Sequence, residues 1–298
     1  MSVRSTTPGL APPSLGARAL KGVILLVCCA VVIVPFLGIL STSVASASAI
    51  TRSGGFVLLP DMIDLRAYQT ILSGGVVTRA TLVSIFVTVV GTLLSLAATT
   101  LLAYGLSRSG SFAHRPLLML VLFALLFTPG IIPSYLIVKS LGLLDSYWSL
   151  LLPVTINAFN VIIMRAFFME LPAEVLDSAR IDGAGDVAIL WRIVLPLSKA
   201  VLAVIGLFYA VSYWNSFFSA LLYLNDTAKW PLQLVLRTYV VNQTQLGVDQ
   251  VGAVGAGLPP QQALAMAILV LSMLPILVVY PFVQRHFTKA VLIGAVKG

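Results

Sequence analysis

Six windows of this chain, each of about 20 residues or more, contain no Asp, Glu, Lys or Arg: 22–40, 80–106, 116–138, 146–164, 200–224 and 262–284. A helix rises about 1.5 Å per residue, so about 20 residues cross the roughly 30 Å of hydrocarbon in a bilayer. Hydrocarbon offers no partner to a bare N–H or C=O, which leaves helices as the way for such segments to cross. The expected fold class is therefore all-α: a polytopic membrane protein with six transmembrane helices. Composition agrees, since 59% of the residues are hydrophobic and 9% are charged, against about 25% charged in soluble domains. Every acidic residue lies outside the six windows, as the cost of a carboxylate at membrane depth requires.

Orientation follows from Lys and Arg, which concentrate on the cytoplasmic side. An N-terminus inside places Arg4, Arg18, Lys21, Arg108, Arg115, Arg165, Arg180, Arg192, Lys199, Arg285, Lys289 and Lys297 in the cytoplasm. It leaves Arg52, Arg66, Arg79, Lys139, Lys229 and Arg237 outside, and both termini cytoplasmic. The predicted location is a membrane crossed several times. The net charge is +8, but its carriers are scattered between apolar runs, which argues against a nucleic-acid partner. Cys28 and Cys29 are adjacent and have no Cys or His at metal spacing, so neither a disulfide nor a metal site is expected. Residues 1–18, rich in Ser, Pro and Gly, read as a disordered cytoplasmic tail, with one transmembrane domain over 19–298. A cleavable signal peptide is the rival reading of the first window, whose apolar stretch exceeds the usual 7–15 residues of such a signal. The external segments after the first and fifth windows, about 39 and 37 residues long, are too long for plain hairpins and predict short external or re-entrant helices. Pro129 and Pro133 interrupt the third window.

Between the fourth and fifth windows lie five of the ten acidic residues: Glu170, Glu174, Asp177, Asp182 and Asp186. Pro172 can open a helix at its first turn, with Glu174 and Asp177 near the positive end of its dipole. Gly183 would end that helix, and Asp186 would cap a second one running toward Ile193 and Pro196. Two short helices jointed at a glycine make a protruding hairpin. Such a hairpin either docks a soluble partner or anchors a loop at the membrane surface; charge pattern alone leaves both open.

The run Asp177-Ser178-Ala179-Arg180-Ile181-Asp182-Gly183, nine residues, then Ile193-Val194-Leu195-Pro196 resembles the signature loop of permease subunits in binding-protein-dependent ABC importers. That loop reads Glu-Ala-Ala, three residues, Gly, nine residues, Ile-x-Leu-Pro; here Asp177 and Ser178 replace the Glu and the first Ala. From about residue 20 onward the chain is similar to the carbohydrate-uptake branch, the maltose-type smaller permeases. Trp214-Asn215, Trp230-Pro231-Leu232-Gln233, Leu274-Pro275, Tyr280-Pro281 and the ending Gly294-Ala295-Val296-Lys297-Gly298 carry this likeness. The resemblance implies a type I importer fold, a second related permease, two copies of a cytoplasmic ATPase and an external solute-binding protein. It also implies an ATPase-coupling role for Glu174, Asp177, Ser178, Ala179, Asp182, Gly183, Ile193, Leu195 and Pro196, and C-terminal ATPase contacts at Lys297 and Gly298.

No Gly-Lys dipeptide and hence no phosphate-binding loop occurs in the chain. No cofactor is expected on this chain; ATP and Mg would sit on the partner ATPase, and the chain would be a pathway subunit without catalytic residues or metal. In the fifth window Tyr209, Ser212, Ser216, Ser219 and Tyr223 fall within an arc of about 80° on a helical wheel, with Asn215 at its edge. Such a stripe can line a wet path for a sugar, or it can glue helices together by hydrogen bonds. The same two uses are open to Asn157 and Asn160, and to Tyr135 beside Pro133. His114 and His286 sit at membrane edges beside Arg115 and Arg285, as interfacial anchors do. An ion-gradient-driven secondary transporter is the main competing reading, and a membrane-embedded enzyme the third. Both want ionisable groups at membrane depth, which the windows lack.

Overall fold

The structure, a computed structural model, describes residues 15–108, 110–242 and 259–295, the stretch after Pro281 in backbone only. Residues 1–14 of the predicted tail, and Lys297 and Gly298, lie outside the described residues. Helices make up the described chain; β structure there amounts to one bridge, Ala45 with Ile63.

Two compact units divide the described residues. The first comprises those up to Ala67 together with Pro259–Val270. Its main element is α1 (Leu15–Ser43), which starts inside the tail predicted to be disordered. Most large apolar side chains of α1 from Leu15 to Leu40 are exposed, as suits a surface bathed in lipid. At its C-terminal end, Thr42 Oγ1 accepts from the Val57 N–H at 2.9 Å and Ser41 Oγ donates to the Leu58 carbonyl at 2.8 Å. These bonds fold the following chain, including the short helix α2 (Ala47–Arg52), back against the helix end.

The second unit holds the rest. After α3 (Arg66–Leu72), the long α4 (Val76–Leu106) fills the second predicted window. The third window is broken at Pro129, where α5 (His114–Leu126) stops before it and α6 (Ile131–Ser140) starts after it; Pro133, also expected to interrupt the window, lies in the first turn of α6. The fourth comprises α7 (Trp148–Leu151), a 3-10 turn carrying Pro153, and α8 (Ala158–Met169), with a 49° bend between them. The segment predicted to be cytoplasmic carries α9 (Ala173–Ile181), α10 (Asp186–Ile189) and α11 (Leu195–Leu197). The fifth window holds α12 (Lys199–Trp214) and α13 (Phe217–Tyr223). The predicted external helix follows as α14 (Leu232–Leu236), and α15 (Gln261–Ala295), whose residues up to Val270 belong to the first unit, contains the sixth window. Three of these helices are long and apolar enough to cross a bilayer unbroken, up to five crossings result if each bent pair is one span, and α5 and α6 are shorter apolar helices.

The core seam joins α4 to α12. Gly91, Ser95 and Thr99 recur every four residues and form a stripe of small side chains that lets the two helices approach. Ser95 Oγ lies 2.8 Å from the Tyr213 hydroxyl, and Thr99 Oγ1 lies 2.6 Å from the Tyr209 hydroxyl. Both tyrosines then reach the broken fourth span: Tyr213 donates to the Leu151 carbonyl at 3.1 Å, and Tyr209 accepts from the Asn157 N–H at 3.0 Å. Thr155 Oγ1 also donates to the Leu151 carbonyl, at 2.8 Å. The break is therefore sustained because neighbouring side chains serve the Leu151 carbonyl and the Asn157 N–H, backbone groups at the interruption between α7 and α8. In α15, Trp214 Nε1 donates to the Ser272 carbonyl at 2.9 Å, within the turn loosened by Pro275.

On the predicted external side, Asp145 adopts the left-handed region at φ 57°. Its Oδ1 accepts from the N–H groups of Asn225 and Asp226 at 3.2 and 3.0 Å, while Lys229 Nζ reaches its carbonyl at 2.7 Å. The hydrogen bond from Asp226 N–H, and less strongly Lys229, hold the Asp145 carboxyl below its ordinary value, against a smaller opposing push from desolvation. A carboxyl lowered on folding contributes stability that is present above its unfolded value, about 4, and lost as pH falls through the folded one. Asp145→Asn tolerates the same backbone but lacks the charge. The variant is expected to lose the part of the acid dependence of the unfolding midpoint below about pH 4 that the parent shows. Parallel pH-dependent melting curves would check this, and identical acid limbs would refute it.

Candidate functional site

The segment predicted to be cytoplasmic folds as the expected hairpin. Helix α9 begins directly after Pro172 with Glu174 in its first turn, and it ends at Gly183, whose φ is +81°. The Gly183 N–H donates to the Arg180 carbonyl at 3.0 Å and the Ala184 N–H to the Ala179 carbonyl at 2.9 Å, the paired bonds of a glycine C-cap. Two details depart from expectation. Pro172 occupies the cap position and not the first turn, and Gly185, not Asp186, precedes α10 at its cap. Asp186 is instead the first helical residue, and its carboxylate is taken by Arg108.

That ion pair is the hairpin's attachment to α4. Arg108 bonds the Asp186 carboxylate and the Tyr104 hydroxyl, and its guanidinium lies 4.3 Å from the Tyr104 ring centroid. The Tyr104 hydroxyl in turn donates to the Asp186 carbonyl at 3.0 Å. Desolvation pulls Arg108 below its ordinary value; Tyr104 opposes this, and the nearby Arg180 adds to it. Arg165 Nε donates to the Leu106 carbonyl at 2.7 Å, tying α8 to the same end of α4. A cavity of about 600 Å³ lies between these elements, lined by Tyr104, Arg108, Phe168, Leu176, Arg180 and Asp186 among others. Sequence reading missed Tyr104 and Arg108 as parts of the site, because nothing in local pattern pairs residues 78 positions apart.

The hairpin presents a mixed face. Glu174, Asp177, Ser178, Asp182 and Gly183 are exposed, Ala179 is half-buried, and Asp177 pairs with Arg180 at 2.9 Å. Beside them stand apolar side chains that sequence reading did not single out: Ile181 is 86% exposed, Val187 71% and Trp191 66%. Exposed apolar groups rimmed by charge are the composition of a protein-contact surface. The opposite side is anchored, with Ile189, Leu190 and Val194 buried. Pro196 cannot donate an N–H, and the turn before it widens over Leu190–Val194. Ile193 and Leu195 are half-buried there and Pro196 is exposed. At the buried Ser198 the chain bends by 84° into α12. The hairpin thus connects to α12 by the chain itself and to α4 by the Arg108 bonds.

The predicted pathway residues divide into three groups. A cleft of about 470 Å³ brings together Asn157, Asn160, Tyr209 and Ser212 with Phe159 and Phe208, as a shared lining of the fourth and fifth spans. Asn157 also caps α8, its Oδ1 accepting from the Asn160 N–H at 3.2 Å, and Tyr209 is buried apart from its cleft edge. Tyr135 and Tyr223 lie apart from that cleft and stack on each other, with ring centroids 6.3 Å apart. The wheel over 209–223 assumed one continuous helix, and this is corrected: the helix breaks at Asn215 and Ser216. Ser216 and Ser219 therefore do not continue the face of Tyr209 and Ser212. Asn215 is exposed at the break and accepts from Gln233 Nε2 at 3.4 Å.

The family described as "Binding-protein-dependent transport system inner membrane component" matches residues 96–293, which include the whole hairpin. The chain belongs to this family. As a permease component of this kind it is a six-span, all-α protein of the inner membrane with the type I importer fold, and the secondary-transporter reading is set aside. The permease is 47% identical over 266 residues to the polygalacturonan/rhamnogalacturonan transport system permease protein YtcP of Bacillus subtilis (strain 168), covering 89% of this chain and 93% of that one. It is 48% identical over 269 residues to Protein LplC of the same organism, covering 90% of each. Among solved structures it is similar to a chain of a bacterial ABC transporter involved in the import of the acidic polysaccharide alginate. That likeness has a TM-score of 0.84 and 34% identity, and covers 93% of this chain and 100% of that one.

Proposed function

We propose that this permease is one half of the transmembrane pathway of an ATP-driven importer that receives a carbohydrate from an external solute-binding protein and passes it inward by alternating access. The other half is a second related permease, and two copies of a cytoplasmic ATPase, carrying ATP and Mg, power the cycle. Both termini are cytoplasmic, and Lys297 and Gly298 reach the ATPase pair. The observation that carries this reading is the hairpin: the signature run is folded into a protruding, partly apolar surface, attached both to α12 and, through Arg108, to α4.

Glu174, Asp177, Ser178, Ala179, Asp182 and Gly183 form the docking knuckle, while Ile193, Leu195 and Pro196 make its stem. Closure of the ATPase pair pushes the knuckle, and the Arg108–Asp186 bonds and the bend at Ser198 pass the displacement to two spans at once. Alternating access needs two arrangements of those spans and no chemistry on this chain. The carbohydrate assignment is supported by the names of the relatives and by the cleft, where two amides, two hydroxyls and two phenylalanine rings suit a ligand with hydroxyl edges and apolar ring faces.

The test is purification of the tagged permease in mild detergent, followed by reconstitution. An ATPase and a second permease are expected to co-purify, and labelled oligosaccharide uptake to require ATP and the binding protein. A permease that transports alone without ATP would overturn the proposal.

A further inference from the structure

We infer that Arg237 is a specificity-determining residue that reads the carboxylate of an acidic sugar, a uronic acid unit, as the oligosaccharide enters the pathway. The inference rests on the carbohydrate reading above and names the substrate class within it. Of the cations predicted to be external, Arg52, Arg66 and Lys229 are neutralised by Asp61, Asp64 and Asp145, whereas Arg79, Lys139 and Arg237 have no ion pair among the described residues. Among the described residues, no carboxylate lies within ion-pair distance of Arg237, and its side chain is exposed.

Its position sets Arg237 apart from Arg79 and Lys139. Arg237 follows α14, whose first N–H, that of Leu232, donates to Ser84 Oγ of α4 at 2.7 Å and so fixes the helix against the span. The backbone widens from Arg237 to Val241 into a π-type turn, a local distortion frequent at functional sites. The guanidinium lies 4.7 Å from the centroid of Phe217, the first residue after the break in the fifth span. One turn before Arg237, Gln233 bonds Asn215 on the other side of that break. Phe208, Ser212 and Asn215 follow one another at helical spacing, so the exposed face of α12 runs from the cleft to this cluster. The cluster therefore offers a planar cation, two amides and an aromatic ring at one end of a polar path.

A guanidinium fork matches a carboxylate by two parallel hydrogen bonds, and an ammonium does not. An aromatic ring beside it suits the apolar face of a pyranose. A neutral sugar would leave the arginine without its partner, which makes the residue a reader of charge and not merely of shape.

The test uses the complete transport assembly in vesicles, with ATP-driven uptake of labelled trigalacturonate, its methyl ester and neutral maltotriose. The parent is expected to prefer the free acid over the ester. Arg237→Gln is expected to reduce that preference about tenfold, the worth of one charge-assisted bond pair, and Arg237→Lys to fall between the two. Taking the ratio within one preparation cancels differences in expression. An unchanged ratio in Arg237→Gln, or equal loss for both galacturonates in the Gln and Lys variants, would assign Arg237 to packing and overturn the inference. A parent that carries maltotriose and neither galacturonate overturns the inference while the carbohydrate reading stands. A parent that carries no saccharide overturns that reading as well.

Discussion

Replacing Gly183 with valine is expected to cut ATP-driven uptake by about tenfold or more while the permease still reaches the membrane. Gly183 has a φ of +81°, and a Cβ built there meets no atom within 4 Å. The penalty is therefore one of backbone conformation and not of crowding. A β-branched residue in the left-handed region costs roughly 1–2 kcal/mol or more, which changes a conformational ratio by about 5- to 30-fold. That energy is spent where the two hydrogen bonds of the cap end α9, so the knuckle, not the membrane-embedded core, deforms. Gly183→Asn is expected to be milder, a loss of about two- to threefold, because asparagine tolerates this region. Uptake by vesicles holding the full assembly, with ATPase co-purification as the second readout, checks both variants. A valine variant that couples and transports like the parent would remove the hairpin from the mechanism.

Gly91→Ala is expected to destabilise the folded permease by about 1–3 kcal/mol, and Gly91→Val to leave little protein to purify. A Cβ at Gly91 would lie 2.6–2.7 Å from Cζ, Cε1 and Cε2 of Tyr213. The ring cannot retreat, because its hydroxyl is held by Ser95 and by the Leu151 carbonyl and its surface is buried. Alanine's better helix propensity returns at most about 1 kcal/mol. Tyr213→Phe should give no relief, since the clashing ring atoms remain and two hydrogen bonds are lost. Tyr213→Leu should partly compensate for Gly91→Ala, giving a positive coupling in a double-mutant cycle read by thermal unfolding in detergent. Additive effects of those two changes would show that the seam has room that the geometry denies.

Much of this architecture was legible because a bilayer punishes exceptions. Charge-free windows marked the spans, and Pro129 sits at a real interruption, whereas Pro133 lies inside α6 and the break at Pro153 was not read. Gly183 could be read as a helix end because only glycine pays no steric penalty there. Legibility failed where structure depends on pairs distant in sequence. Arg108 looked like one more cytoplasmic cation, and only the fold places it on Asp186. The residues alone leave Asn157 and Tyr209 open between lining a path and binding helices together; in the structure the Tyr209 hydroxyl bonds Thr99 of another helix, the Asn157 side chain caps its own helix, and both edge the cleft. The stripe beyond Trp214 was misjudged because periodicity presumes an unbroken helix, and the Asn215–Ser216 break carries no proline to announce it.

The tyrosine bonds to the broken fourth span bear on biogenesis. The Leu151 carbonyl and the Asn157 amide are served by hydroxyls from a helix made some fifty residues later. A nascent chain released sideways into lipid one helix at a time would leave the Leu151 carbonyl with Thr155 alone and the Asn157 amide without its tyrosine partner in hydrocarbon, where an unsatisfied group costs several kcal/mol. Helices α7 and α8 are therefore expected to wait inside the insertion machinery until α12 arrives and to leave with it as a pair. Photocrosslinking of arrested translation intermediates to the insertion channel would reveal that delay.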